Sequence, residues 1–134
     1  MKAKLRIILS MFLAAGVVGA TGCSSTPQST GTTKIVYKNI SPEDAKKRLD
    51  SEKGIVLLDV RTPEEHAEKN IPGSILIPLD VLENEVSQKI SDRNTTIFVY
   101  CRSGRRSVEA SEILVKLGYT NVFNLGGIID WPYL

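Results

Sequence analysis

Short segments rich in β-branched residues alternate with helix-start signals along most of the sequence, and this alternation constrains the fold more than any other feature. Four consecutive apolar residues at 55–58 predict a strand that is covered on both faces. Stretches at 34–38, 75–77, 96–100 and 122–123 have the same short β-rich character. The order of the elements predicts an α/β fold in which a parallel sheet has helices on both faces.

Helix-start signals lie between these predicted strands. Ser41 and Pro42, followed by two acidic residues, predict a helix that runs to about Glu52. Thr62 begins a second signal, with Glu65 three residues later at the capping-box position. Apolar stripes predict further helices at residues 80–90 and 108–117, and a glycine pair predicts a final turn at 125–127.

The first residues of the chain have the pattern of an export signal. Basic residues within 1–6 precede a run at 7–20 that is apolar apart from Ser10. This run is shorter than the span of about 20 residues that crosses a bilayer, so it fits the apolar region of a secretory signal. Residues 20–23 (ATGC) then resemble the lipobox of bacterial lipoproteins, in which the cysteine receives a lipid. We therefore predict a lipoprotein-type signal peptide at 1–22.

The fate of this segment has three alternatives. Lipidation of Cys23 would anchor the protein to a bacterial membrane on the extracytoplasmic side. Ordinary signal-peptidase cleavage after Ala20 would release a soluble periplasmic or secreted protein, and an uncleaved segment would itself be a membrane anchor. Residues 23–33 lack charged and large apolar side chains and predict a flexible tether, so the folded domain is predicted to span 34–134.

The charge of the chain gives no reason to expect nucleic-acid binding. The whole sequence has 17 basic and 15 acidic residues. Loss of the signal peptide would remove Lys2, Lys4 and Arg6, which leaves 14 basic residues against the same 15 acidic ones. Because a near-neutral domain lacks the basic surface that binds phosphate backbones, we expect no nucleic-acid partner.

Cys101 is the strongest candidate for chemistry. It directly follows a predicted strand and precedes a helix that should begin between Gly104 and Ser107. Open α/β sheets form their sites at the carboxyl ends of strands, where loop N–H groups and the helix N-terminus favour an anion. We therefore expect Cys101 to form a thiolate at neutral pH. Gly104 allows the loop backbone to take a positive φ or to approach a ligand closely.

Three cations lie within six residues of this cysteine. Arg102, Arg105 and Arg106 could hold an oxyanion through paired hydrogen bonds while the sulfur attacks it. The residues thus predict a nucleophilic thiolate that faces an anionic substrate. Two alternatives remain: Cys101 is a small buried core residue, or it forms a disulfide with Cys23, which lipidation of Cys23 would prevent.

Other residues give weaker signals. His66 is interpreted as a solvated surface side chain rather than a catalytic base, and Trp131 as part of a C-terminal lid. Asp59 and Arg61 are interpreted as a structural ion pair more readily than as a catalytic acid and its partner. One histidine and one cysteine in the domain do not make a closed ligand set, so no metal site or cofactor is expected.

Four motifs follow one another along the chain: residues 59–66 (DVRTPEEH), 71–78 (IPGSILIP), 99–107 (VYCRSGRRS) and 125–131 (LGGIIDW). In this order they resemble the landmarks of single-domain rhodaneses, and the similarity spans about residues 36–131. The resemblance implies a rhodanese-like parallel sheet of about five strands and an enzyme with thiosulfate sulfurtransferase activity. Such an enzyme moves the sulfane sulfur of a small anionic donor, through a cysteine persulfide, to cyanide or another thiophilic acceptor.

Carried over by position, the resemblance makes Cys101 the nucleophile. It makes Arg105 and Arg106 candidates for thiosulfate contact, and it gives Asp59 and Arg61 a supporting role. Where rhodaneses commonly have Gly-His before Ile-Pro-Gly, this chain has residues 69–70 (KN), which puts the local turn geometry in question. The loop implied to bind substrate and persulfide consists of Arg102, Ser103, Gly104, Arg105 and Arg106.

Two further functions remain as alternatives. The domain could be a non-catalytic rhodanese-like sulfur carrier or partner-binding module at the cell envelope, although the presence of Cys101 favours catalysis. The related phosphatases and arsenate reductases have a Cys-x5-Arg loop, which would place arginine at the position of Ser107. The loop from Cys101 to Arg106 is one residue tighter and suits a persulfide better. A monomer is expected.

Overall fold

The structure is a computed structural model that describes residues 16, 34 and 36–134. Apart from residue 16, the predicted signal peptide and tether lie outside the described residues, and Cys23 lies outside them too. The predictions of a signal at 1–22, a tether at 23–33 and lipidation of Cys23 therefore stay predictions. Within the described part of the chain, no helix is both long enough and apolar enough to cross a membrane.

Strands and helices alternate along the described chain, as the sequence predicts. The elements are β1 (Lys38–Asn39), α1 (Pro42–Ser51), β2 (Val56–Asp59), α2 (Pro63–Glu68), β3 (Ile75–Leu76), α3 (Leu82–Lys89), β4 (Thr96–Cys101), α4 (Arg105–Lys116) and β5 (Asn121–Gly127). A short 3₁₀ turn at Leu79–Val81 precedes α3, and another at Ile128–Asp130 follows β5.

The five strands form one sheet in the order β1-β5-β4-β2-β3, and every neighbouring pair is parallel. Successive side chains of a strand point to opposite faces of the sheet, so Phe98 and Tyr100 pack on one face while Val99 and Cys101 pack on the other. The first face is covered by α1 and the second by α3 and α4. The predicted α/β sheet with helices on both faces is confirmed.

The predicted helix starts are present as hydrogen-bonded caps. The Ser41 hydroxyl accepts a hydrogen bond from the N–H of Asp44 at 3.1 Å. At the start of α2 the Thr62 hydroxyl accepts from the Glu65 N–H, and the Glu65 carboxylate accepts from the Thr62 N–H at 3.0 Å. Because each cap satisfies N–H groups that a helix leaves unpaired, Ser41 and Thr62 fix where α1 and α2 begin.

Two predicted boundaries are wrong. The first strand contains only Lys38–Asn39, and Val36 and Tyr37 lie outside it. Residues 125–127 continue β5 instead of forming a turn, because β5 shifts register against β4 between Val99 and Tyr100. Gly126 accommodates this irregularity with a φ of 93°, a left-handed conformation that glycine adopts without steric cost.

Candidate active site

Cys101 is the last residue of β4, which lies in the middle of the sheet between β2 and β5. The residue is 1% exposed and packs at the end of the core that α3 and α4 cover. Its thiol is free. The prediction that this cysteine ends a strand directly before a helix is confirmed, and its burial also matches the alternative of a core residue.

The loop after Cys101 turns a backbone donor toward the sulfur. The Gly104 N–H donates a hydrogen bond to the Cys101 Sγ, with 3.0 Å between nitrogen and sulfur. Gly104 has a φ of 108° and caps α4, and its carbonyl accepts a hydrogen bond from the buried Ser107 hydroxyl at 2.9 Å. A directed N–H group together with the start of a 12-residue helix favours negative charge at the sulfur.

The end of β5 supports this loop from the side. A Cβ atom on Gly127 would lie 2.4 Å from the carbonyl oxygen of Arg102 and 2.7 Å from the Cα of Ser103. The Ile129 N–H also donates to the Arg102 carbonyl, at 3.3 Å. Gly127 therefore belongs to the site through its close approach to the loop, whereas its sequence context predicts only a turn and part of a rhodanese-like motif.

The three arginines of the loop have different surroundings. Arg102 and Arg105 are exposed, and neither pairs with a carboxylate of the described residues. The Arg106 side chain instead meets Glu65 of α2, with Nη1 to Oε2 at 2.8 Å and Nη2 to Oε1 at 2.9 Å. The hydrogen bonds from Arg106 lower the pKa of Glu65 to about 2.

Asp59, at the end of β2, is the centre of a buried polar cluster. Its Oδ1 accepts from the Arg61 N–H at 2.9 Å, and its Oδ2 accepts from Arg61 Nη2 at 2.8 Å. Oδ2 also lies 2.8 Å from His66 Nδ1 and accepts from the Tyr100 hydroxyl at 3.0 Å. Burial alone would raise the pKa of Asp59, but the hydrogen bonds from Arg61 and His66 outweigh burial and lower it.

Tyr100, the residue before the candidate nucleophile, is hydrogen-bonded to this cluster through Asp59. Its hydroxyl accepts from the Ile71 N–H at 3.1 Å and lies 2.8 Å from the Ser74 hydroxyl. Burial raises the pKa of Tyr100 above its usual value. Since Tyr100 directly precedes Cys101 in β4, these contacts fix the end of the strand that carries the cysteine.

Two cavities lie beside the loop at the carboxyl edge of the sheet. The larger has a volume of about 460 Å³ and the smaller about 270 Å³. Arg61 lines both, Arg106 lines the larger, and Glu65 and Arg102 line the smaller. The cavities are open to solvent, so small molecules can reach the side chains of Arg106 and Arg102 at the two ends of the loop.

The structure brings the predicted loop residues to the same edge of the sheet as Asp59 and Arg61, which form the ion pair interpreted from the sequence. The interpretation of His66 as a solvated side chain is wrong, because α2 places it against buried Asp59.

Trp131 is 6% exposed and packs on the face that α1 covers, opposite the Cys101 side chain. Among the described residues, no group of three or more His, Cys, Asp or Glu side chains could hold a metal ion.

The fold and the site define an α/β domain in which a cysteine ends the central strand β4 and an arginine-rich loop connects it to the start of helix α4. Residues 41–132 match the protein family described as Rhodanese-like domain. The chain belongs to this family.

Individual relatives and solved structures agree with this assignment. The chain is 42% identical over 73 residues to "Thiosulfate sulfurtransferase PspE" of Escherichia coli (strain K12), covering 54% of this chain and 70% of the relative. It is 39% identical over 97 residues to a "Sulfurtransferase" of Allochromatium vinosum, covering 72% of this chain and 89% of the relative. A solved rhodanese with anions from E. coli is 41% identical, with a TM-score of 0.55 over 57% of this chain and 89% of that one. A human single-domain sulfurtransferase is 26% identical, with a TM-score of 0.63 over 69% and 93% of the two chains.

Proposed function

We propose that this protein is a thiosulfate sulfurtransferase that works through a persulfide on Cys101. The observation that carries the proposal is the Gly104 N–H, which points at the Cys101 sulfur from the start of α4. The same donor that stabilises a thiolate also stabilises the terminal negative sulfur of a persulfide, since both are anions. Arg102 and Arg105 add positive charge at the mouth of the loop.

In the first half of the reaction the Cys101 thiolate attacks the outer sulfur of thiosulfate. A sulfur–sulfur bond forms to Cys101 while the sulfur–sulfur bond of thiosulfate breaks, and the bonding pair leaves with sulfite. The product is a Cys101 persulfide anion, and no external oxidant or reductant is needed. The role of the loop is to bring two anions together, so its backbone donor and arginines offset their repulsion.

In the second half a thiophilic acceptor removes the outer sulfur. Cyanide attacks this sulfur, forms thiocyanate, and returns the bonding pair to Cys101 as a thiolate. A thiol acceptor would gain the same sulfur as its own persulfide. Because the donor product leaves before the acceptor reacts, we expect ping-pong kinetics.

The names of the relatives support the donor in this proposal. The E. coli relative is called a thiosulfate sulfurtransferase and the A. vinosum relative a sulfurtransferase.

Replacement of the nucleophile tests the mechanism. We expect Cys101→Ser to lower thiocyanate formation from thiosulfate and cyanide to the background rate. Thermal unfolding should change little, since a serine oxygen can also accept the Gly104 N–H. The matched control is Cys23→Ser, which makes the same change at the other cysteine and should retain turnover. Full turnover by Cys101→Ser would overturn the persulfide mechanism.

The Cys23→Ser variant also tests whether the protein is anchored to a membrane through a lipid. We propose that Cys23 is lipidated and anchors the domain to the outside of a bacterial membrane, on the support of the lipobox-like sequence ending at Cys23. Cells that express the wild-type protein should incorporate labelled palmitate into it, and Cys23→Ser should abolish the label. Equal labelling of both proteins would overturn the anchor.

A further inference from the structure

Glu65 has two contacts that place it between helix α2 and the cysteine loop. As the third residue of α2, it completes the capping box by accepting the Thr62 N–H at 3.0 Å. Its two carboxylate oxygens also accept both terminal nitrogens of Arg106, at 2.8 and 2.9 Å. The Arg106 nitrogens that face Glu65 are the ones that a bidentate oxyanion would use.

The Glu65–Arg106 pair also lies between the two cavities beside the loop. Arg106 lines the cavity of about 460 Å³, whereas Glu65 lines the cavity of about 270 Å³. Both side chains are about a quarter exposed, at 26% for Glu65 and 27% for Arg106. A bound anion at the loop would therefore be close to the carboxylate of Glu65 as well as to the guanidinium of Arg106.

The other arginines show how much positive charge remains for an anion. Arg61 forms an ion pair with Asp59, and the two side chains are 5% and 0% exposed, respectively. Arg102 and Arg105 have no carboxylate partner among residues 34 and 36–134. Two of the four arginines at this edge are thus neutralised, and a donor with two negative charges must compete with Glu65 for Arg106.

We propose that Glu65 is a specificity-determining residue of the site, which lowers the affinity of the loop for dianionic donors relative to monoanionic ones. The inference rests on the sulfurtransferase function proposed above and concerns the selectivity of the site between donors of different charge. Donors of the type R–SO₂–S⁻ carry one negative charge and lose less to repulsion by Glu65. The transfer is balanced in the same way, since the sulfur–sulfur bond breaks and its electron pair leaves with the sulfinate R–SO₂⁻.

A pair of similar donors isolates the effect of charge. Methanethiosulfonate differs from thiosulfate by a methyl group in place of one charged oxygen, so the two have nearly the same shape. The measurement is kcat/KM for each donor at low ionic strength, where charge effects are least screened. The ratio of the two values cancels effects on the nucleophile that both donors share.

The informative variant is Glu65→Gln, because glutamine keeps the capping box with Thr62 but lacks the negative charge. We expect the thiosulfate-to-methanethiosulfonate ratio to rise by about two- to fivefold, the size of effect expected from a partly exposed ion pair. Glu64→Gln is the matched control, since Glu64 is exposed, lies on the same helix and does not contact Arg106. It should leave the ratio unchanged.

Three results would overturn the inference: an unchanged ratio in Glu65→Gln, a lower ratio, or an equal rise in Glu64→Gln. A lower ratio would mean that Glu65 serves to hold Arg106 in position for the dianion. If the wild-type protein uses neither donor, the proposed function fails. The inference is then decided by the affinity for sulfate, measured from the NMR signal of the Gly104 amide. Tighter sulfate binding by Glu65→Gln than by Glu64→Gln then supports it, and equal binding overturns it.

Discussion

Two carboxylate–arginine pairs lie at the same edge of the sheet, and they differ in burial and in number of partners. In the Asp59–Arg61 pair the side chains are 0% and 5% exposed, whereas in the Glu65–Arg106 pair they are 26% and 27% exposed. Asp59 also receives hydrogen bonds from His66 and Tyr100. The two pairs have the same chemistry but are held by very different surroundings.

This difference indicates which pair a ligand can disturb. Removing one partner of a buried pair leaves an uncompensated charge away from water, which is strongly unfavourable. A partly exposed pair loses little when it opens, because water and ions replace the partner. The Asp59–Arg61 pair therefore fixes the framework under Tyr100 and Cys101, and the Glu65–Arg106 pair can exchange with an anion.

Changing the carboxylate of each pair to the corresponding amide should give the largest difference in stability between the two pairs. Asp59→Asn keeps the size of the side chain but leaves Arg61 without a counter-charge, so we expect a loss of about 3 kcal/mol or more in the free energy of unfolding. Glu65→Gln should lose less than about 1 kcal/mol. Urea denaturation of the two variants beside the wild type measures both values.

Similar losses in the free energy of unfolding for Asp59→Asn and Glu65→Gln would contradict the proposed difference between the two pairs. A loss below about 1 kcal/mol for Asp59→Asn would mean that water reaches Arg61 and that the pair is not structural. A loss near 3 kcal/mol for Glu65→Gln would mean that the exposed pair cannot open for an anion.

Removal of the exposed arginine should affect donor binding more than stability. Arg106→Ala deletes a cation and leaves Glu65 unpaired near the loop, so we expect the KM for thiosulfate to rise by about two- to fivefold. The free energy of unfolding should fall by less than about 1 kcal/mol. Steady-state kinetics and urea denaturation give the two quantities.

Lys47→Ala is the control for this variant, since Lys47 is an exposed cation on α1. It removes the same net charge away from the loop and should leave KM unchanged. An unchanged KM in Arg106→Ala would remove Arg106 from donor binding.

The smallest effect is the pH dependence of the exposed pair. The pKa of Glu65 falls from its ordinary 4.5 to about 2 in the folded protein. Because the pKa is lowered, the stabilisation is complete above pH 4.5 and is lost as the pH falls toward about 2. The difference in unfolding free energy between wild type and Glu65→Gln should shrink over this range. A difference that stays constant would contradict the lowered pKa.

The local elements of this fold could be predicted because their signals are local. Ser41 and Thr62 indicate helix starts through contacts with residues three positions later, and hydrogen-bonded caps are found at both. The position of Cys101 at a strand end follows from the β-rich residues before it and the glycine after it. These features depend on neighbours along the chain.

The parts of the site that the sequence did not reveal depend on packing between distant segments. Arg106 and Glu65 are 41 positions apart and meet only after α2 and α4 have packed at the sheet edge. His66 reaches Asp59 for the same reason. The sequence predicts only a turn at Gly127, because a glycine that lets a neighbouring backbone approach has the same sequence signal as one that allows a bend.

The mass of the intact protein after exposure to thiosulfate tests the central claim most directly. We predict that the wild-type protein gains one sulfur atom, that cyanide removes this sulfur, and that Cys101→Ser gains none. An unchanged mass for the wild type, or the same gain in Cys101→Ser, would contradict a sulfur carried by Cys101.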